Sequence, residues 1–199
     1  MKKFAIVFIL CFVIAFGALA QDITRSPLEG AWIWDGQGED IGISELIFFG
    51  NVMLLLDSFS YSNEYEGSTF SFSDNTIKTK DGYIDWQYQL SGTRLSIVEY
   101  GEQYTFIRAE EQRSPIEGIW KLTGATDFDP EFDSLYILFT RNIMAILDYD
   151  EYWHGINILY RGNYIYPNDG DDDPLGFAIS GDTLILHDDD EELILTRLY

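Results

Sequence analysis

Arg25-Ser26-Pro27-Leu28-Glu29-Gly30-Ala31-Trp32 returns 88 positions later as Arg113-Ser114-Pro115-Ile116-Glu117-Gly118-Ile119-Trp120. The echo runs on through most of the chain. Phe48-Phe49-Gly50-Asn51-Val52-Met53 answers to Phe139-Thr140-Arg141-Asn142-Ile143-Met144, now at an offset of 91. Tyr65-Glu66-Gly67 is matched to Tyr160-Arg161-Gly162. Leu90-Ser91-Gly92-Thr93-Arg94-Leu95 answers to Ile179-Ser180-Gly181-Asp182-Thr183-Leu184, and Phe106-Ile107-Arg108 to Leu195-Thr196-Arg197, both at 89. Order is kept, and the offset changes fall in polar segments. A tandem duplication of this kind makes each copy one folding unit, or half of one symmetric unit. The expected division is 22–110 for copy one and 111–199 for copy two, joined at the short polar stretch Ala109 to Pro115.

The residues before copy one form a separate segment. Met1-Lys2-Lys3 is basic, Phe4 to Gly17 is apolar, and Ala18-Leu19-Ala20 supplies small residues before Gln21. These are the parts of a secretory signal peptide spanning 1–20 and cleaved near Ala20, which lies outside the fold. The expected location is periplasmic or secreted, with no membrane insertion after cleavage. A retained anchor is the rival, and the apolar run is short for a span. Cys11, the one cysteine, leaves with the signal. The mature chain then has no disulfide and no thiol chemistry, so each copy relies on its core.

Charge excludes some partners. The chain holds 34 acids and 12 Lys plus Arg, a net charge of −22. Loss of Lys2 and Lys3 leaves 34 against 10, or −24. Such a surface repels nucleic acid and anionic headgroups, so neither is an expected partner.

Apolar residues alternate or come in short runs bounded by Gly, Asn, Asp and Ser, which predicts strands. In copy one they fall at Leu46 to Phe49, Val52 to Leu56, Tyr83 to Leu90, Leu95 to Tyr100 and Tyr104 to Ile107. Copy two repeats this at Leu135 to Phe139, Ile143 to Leu147, Ile156 to Tyr160, Leu184 to Leu186 and Leu193 to Leu198. Gly50-Asn51, Ser91-Gly92, Arg141-Asn142 and Ser180-Gly181 read as hairpin turns. A single helical turn is expected at Ser26 to Glu29 and in its copy, because Pro suits a first helical position. Each copy holds seven or eight short strands, and closing the sheet removes unpaired edges. The fold class is all-β, with two tandem antiparallel barrels. One larger sheet built jointly by both copies is the alternative.

Gly30-Ala31-Trp32 on a first strand, after a short turn, resembles the Gly-x-Trp signature of lipocalin-like (calycin) barrels. Gly118-Ile119-Trp120 supplies it again. The resemblance implies that an arginine near the end of the last strand packs across this tryptophan and closes the barrel base. Arg108 and Arg197 stand at those places, giving the pairs Trp32 with Arg108 and Trp120 with Arg197. Guanidinium over indole is a cation–π contact that keeps the charge hydrated. Each copy is shorter than a full lipocalin, so small lipocalin-like domains of bacterial secreted proteins are the nearer comparison. The resemblance also implies binding of a small apolar ligand or of an envelope or extracellular protein.

Catalytic signals are sparse. His154 and His187 are the two histidines, and no Gly-x-Ser-x-Gly elbow occurs. With 34 acids, a carboxylate pair for glycoside hydrolysis can always be named, so naming one says nothing. Three acidic clusters belong to copy two: Asp127, Asp129, Glu131 and Asp133; Asn168 to Asp173; and His187 to Glu192. Hard cations take such oxygen ligands, and Asp169, Asp171 and Asp173 are the weak metal candidates. None of the clusters matches an EF-hand loop. The reading is therefore an exported, non-enzymatic binding module without a cofactor, with at most weak cation binding. Its target is an unidentified protein or a small apolar ligand. A filled-barrel structural pair and a weak cation-dependent hydrolase are the alternatives. Aromatic side chains beyond core needs, among them Trp34, Trp86, Tyr88, Tyr100, Tyr152 and Trp153, serve either packing or recognition.

Overall fold

Turn chemistry and apolar alternation together lay down the strands. The computed structural model describes residues 26–36, 42–58, 64–110, 113–125, 135–147, 152–167, 173–188 and 191–199. Among them every regular element is a strand. The chain divides into two compact units, one of Asp22–Glu111 and one that includes Gln112–Tyr199.

The first unit contains β1 (Gly30–Trp34), β2 (Ile43–Phe49), β3 (Val52–Asp57), β4 (Tyr65–Ser73), β5 (Thr76–Thr79), β6 (Asp85–Ser91), β7 (Arg94–Glu99) and β8 (Glu102–Arg108). Each strand pairs antiparallel with the next along the chain. β8 then returns to β1 through Trp32↔Arg108, Ile33↔Ile107 and Trp34↔Phe106. The result is a closed eight-stranded antiparallel barrel with up-and-down topology, which leaves no edge strand. Its inner face carries twelve buried apolar side chains, from Leu28 in the entry turn and from every strand. Among them Trp32, Phe48, Met53, Ile77 and Phe106 are almost wholly excluded from solvent.

The second unit contains β9 (Gly118–Ala125), β10 (Tyr136–Thr140), β11 (Ile143–Leu147), β12 (Tyr152–Arg161), β13 (Tyr164–Pro167), β14 (Leu175–Ser180), β15 (Thr183–Asp188) and β16 (Glu191–Arg197). Neighbours again pair antiparallel in chain order. β16 pairs with β9 through Arg197↔Trp120 and Leu195↔Leu122. Its own apolar cluster is built around Trp120, Phe139, Ile158 and Leu184.

Hairpin geometry follows local chemistry. Gly50, Gly92 and Gly181 sit at φ 57°, 60° and 59°, the left-handed region that glycine enters without strain. Arg141 holds φ 53° where copy one has Gly50, a conformation disfavoured for a side chain with a Cβ. In β2, Leu46 to Phe49 are all buried, so the strand reads as a continuous apolar run rather than an alternation.

Strand register corrects one match between the copies. Leu54 pairs with Gly67 in copy one. Its counterpart Ala145 pairs with Gly155 in copy two. The N–H of Phe70 bonds the carbonyl of Asn51, and that of Ile158 bonds the carbonyl of Asn142. Tyr65-Glu66-Gly67 therefore corresponds to Trp153-His154-Gly155, not to Tyr160-Arg161-Gly162. The three residues that copy two gains before β10 are lost again between β11 and β12. Tyr160 then stands opposite Phe72 in the repeat.

Two further expectations change. The segment Ser26 to Glu29 is a hydrogen-bonded turn, closed by Glu29 N–H to the Ser26 carbonyl at 3.1 Å, and does not continue as helix. β6 starts at Asp85 rather than Tyr83, because Thr79, Asp81 and Tyr83 are tied into a turn by side-chain bonds. Burial opposes ionisation of Asp81, but bonds from Thr79, the Tyr83 backbone and Ser68 outweigh it and hold the carboxyl below the usual carboxylate range.

Candidate functional site

The repeated octapeptide builds one end of the first barrel. Ser26 Oγ accepts the Leu28 N–H at 3.1 Å, which folds the turn and drops Leu28 into the interior. The Trp32 indole N–H donates to the Leu28 carbonyl at 2.7 Å. Arg108 Nη1 donates to the Glu29 carbonyl at 2.7 Å, and its Cζ stands 4.1 Å from the Trp32 ring centroid. One guanidinium thus satisfies a turn carbonyl and covers a fully buried indole. Gly30 completes the fit. It holds φ +123°, and a Cβ there would come within 2.9 Å of Arg108 Nη1. The Gly of the Gly-x-Trp pattern is required by both backbone and space.

Copy two repeats the arrangement. Ser114 Oγ accepts the Ile116 N–H at 3.2 Å, Trp120 Nε1 donates to the Ile116 carbonyl at 2.9 Å, and Arg197 Nη1 donates to the Glu117 carbonyl at 2.7 Å. Arg197 Cζ lies 4.3 Å from the Trp120 ring centroid. Gly118 holds φ +154°, with the Tyr199 carbonyl 2.7 Å from where its Cβ would be. One feature belongs to copy two alone: Ser114 Oγ is 2.6 Å from Tyr160 Oη. Burial pushes the Tyr160 phenol up to about 12, with the Glu117 charge adding to the rise and the Ser114 bond opposing it.

The singled-out aromatics divide by position. Trp86 and Trp153 are buried, and Trp34, Tyr88 and Tyr152 are partly so. Trp86 Nε1 donates to Glu99 Oε1 at 2.9 Å, and Tyr104 Oη donates to Glu102 Oε2 at 2.8 Å, so two interior rings keep polar contacts near the barrel end opposite Arg108. Tyr100 is 99% exposed and Tyr83 is 82% exposed. These two are not core residues.

The acidic clusters are assembled only in part. Asp127, Asp129, Glu131, Asp133, Asp169 and Asp171 lie outside the described residues. Asp173 is exposed. His187 Nδ1 is 3.2 Å from Glu192 Oε1 across the β15–β16 pair. Among the described residues no group of three or more His, Cys, Asp or Glu is placed to hold a metal ion.

One surface feature has no sequence motif behind it. An open depression of about 420 Å³ on the first unit is lined by Asn75, Gln87, Gln89, Ser96, Val98 and Gln103, among others. Strand register creates it. Gln87 pairs with Val98, which pairs with Gln103, while Gln89 pairs with Ser96. The β4–β5 turn forms its rim, with Asp74 at φ 46° and Asn75 at φ 64°. The Tyr88 N–H donates to the Asn75 carbonyl at 2.7 Å and fixes that turn against β6.

Protein-family models give no match to the chain. The curated proteins give none either.

Proposed function

We propose that the chain is an exported, non-enzymatic binding module built from two tandem lipocalin-like barrels that arose by internal duplication. After cleavage near Ala20 it would work in the periplasm or outside the cell. The supporting observation is the interior of the first barrel, where twelve buried side chains from the entry turn and all eight strands occupy the inner face. A scaffold filled in this way leaves recognition to its outer surface and loops. An envelope or extracellular protein, or another ligand that docks from outside, fits that better than a ligand enclosed by the strands. Nothing in the reading requires a catalytic residue or a cofactor.

A small apolar ligand is the second reading. Its support is that Trp34, Ile43, Leu55 and Ile84 pack against the core while only partly buried. Titration with a fluorescent fatty-acid analogue separates the two. The filled scaffold predicts no saturable binding at concentrations up to about 10 μM. Saturable uptake with a Kd near 1 μM or below would overturn it in favour of the internal ligand.

A further inference from the structure

On a chain of net charge −22, the outward face of β6, β7 and β8 carries two rungs without a charged side chain, bounded by Asp85 at one end and Arg94 at the other. Outward positions on β6 are Asp85, Gln87, Gln89 and Ser91, and Asp85 is already paired with Lys78 at 2.9 Å. β7 adds Arg94, Ser96 and Val98, and β8 adds Gln103, Thr105 and Ile107, with Arg94 Nη1 3.5 Å from Asp35 Oδ2. Register places the uncharged ones mainly in two rungs, Gln87–Val98–Gln103 and Gln89–Ser96–Thr105, followed by Ser91–Arg94–Ile107. Gln103 Nε2 approaches Ser96 Oγ at 3.4 Å, which links the rungs. Rungs two residues apart on a strand are separated by about 7 Å, and neighbours across strands by about 5 Å.

This grid has a definite chemistry. Each Gln amide offers two donors and an acceptor, and each hydroxyl offers both. None carries charge. Beside the grid, the β7–β8 turn carries Tyr100, whose φ of 50° and near-complete exposure present an aromatic ring to solvent. The β5–β6 turn at the same barrel end presents Tyr83. Amides in an open groove, with an exposed aromatic ring in the turn two residues beyond Val98, match a ligand that has hydroxyls on its edges and C–H groups on its faces.

Copy two shows that the barrel does not require this surface. At the positions of Gln87, Gln89, Ser96 and Gln103 it carries Gly176, Ala178, Ile185 and Glu192. Ala178 pairs with Ile185, and Ile185 with Ile194. The three amides of copy one are replaced by a glycine, an alanine and a carboxylate in copy two, while the Trp–Arg base is kept in both.

We propose that the Gln87, Gln89 and Gln103 face of the first barrel binds a neutral oligosaccharide, with Tyr100 as a stacking platform at its end. The inference rests on the reading of the chain as a binding module that recognises from outside. The test is an NMR titration of the full mature chain with cellotetraose, maltotetraose and chitotetraose. At least one should shift the side-chain amide resonances of Gln87, Gln89 and Gln103 saturably, with a Kd of about 1 mM or below. Gln87→Ala with Gln89→Ala should weaken that binding about tenfold or more and leave the rest of the spectrum in place. Tyr100→Ala, at an exposed turn, should weaken it as well. Absence of amide shifts from all three sugars at about 10 mM overturns the proposal. So does binding that the double variant retains in full. Either result leaves the filled-interior reading standing, because the fatty-acid titration tests that separately.

Discussion

Arg108→Lys keeps the charge and removes the shape. In the native barrel one guanidinium bonds the Glu29 carbonyl at 2.7 Å and covers the Trp32 ring at 4.1 Å. Lysine has a compact ammonium and cannot do both at once. The bond from a charged donor to a partly buried carbonyl contributes about 1.5–3 kcal/mol, and the cation–π contact about 0.5–2 kcal/mol. A lysine that recovers half of either leaves a net loss of about 1–3 kcal/mol. Urea unfolding of the chain, followed by far-UV circular dichroism, measures it. The midpoint should fall without a change of slope in the transition that the first unit controls. Trp32→Phe provides the second arm of a double-mutant cycle and keeps a ring under the cation. Coupling between positions 32 and 108 should come out at about 0.5–2 kcal/mol. Arg197→Lys should reproduce the loss in the second unit, since its contacts are nearly the same. A cost under about 0.5 kcal/mol for both lysine variants, with no measurable coupling, would show that neither arginine stabilises its unit.

Gly30→Ala should destabilise by about 1–3 kcal/mol through the left-handed backbone alone, and more if Arg108 Nη1 is displaced from the 2.9 Å approach; Gly92→Ala, at φ 60° with open space around it, is the comparison that isolates the displacement. Tyr160 has its phenol raised to about 12 in the fold against about 10 unfolded, so its contribution is complete below pH 10 and lost as pH rises towards 12. Alkaline unfolding should therefore shift in Tyr160→Phe, which lacks up to about 2–3 kcal/mol of this pH-dependent term, and an unchanged pH profile would remove the claim. Calcium at about 1 mM should raise the melting temperature no more than sodium chloride at matched ionic strength, and a calcium-specific rise abolished by Asp171→Asn with Asp173→Asn would show a dedicated site.

Legibility from sequence varied with how local the signal is. β2 and β3, and β10 and β11, are dense apolar runs around turns at Gly50-Asn51 and Arg141-Asn142, so they stand out unaided. β4 and β5 do not, because Ser and Thr dilute β4 and β5 has only four residues. β13 ends at Pro167 and β14 holds Gly176, which weakens both patterns. The match of Tyr65-Glu66-Gly67 to copy two is ambiguous in sequence, because Gly155 and Gly162 bracket the second half of β12 and either could answer to Gly67. Only the ladder to β11 decides between them. The Trp32–Arg108 pair could be anticipated from a signature at each end of the copy. The carbonyl that Arg108 seeks, and the steric reason for Gly30, exist only once the turn at Ser26 is folded. The amide face was invisible for a similar reason: Gln87, Gln89 and Gln103 form no motif until β6, β7 and β8 are laid side by side.

The closure of the first barrel also dictates a timetable. The contact between Arg108 and Glu29 spans 79 positions, and β8 must meet β1 for the sheet to have no free edge. Neither event can occur before position 108 has been synthesised. Until β8 arrives, the hairpins of β2 to β7 are local and reversible structures. Arrival of that strand completes the ring through its pairing with β1, and the barrier to unfolding rises with it. A chain cut short before Glu102 should accordingly remain protease-sensitive along its length, because the seven residues of β8 decide whether the preceding strands count as a folded protein.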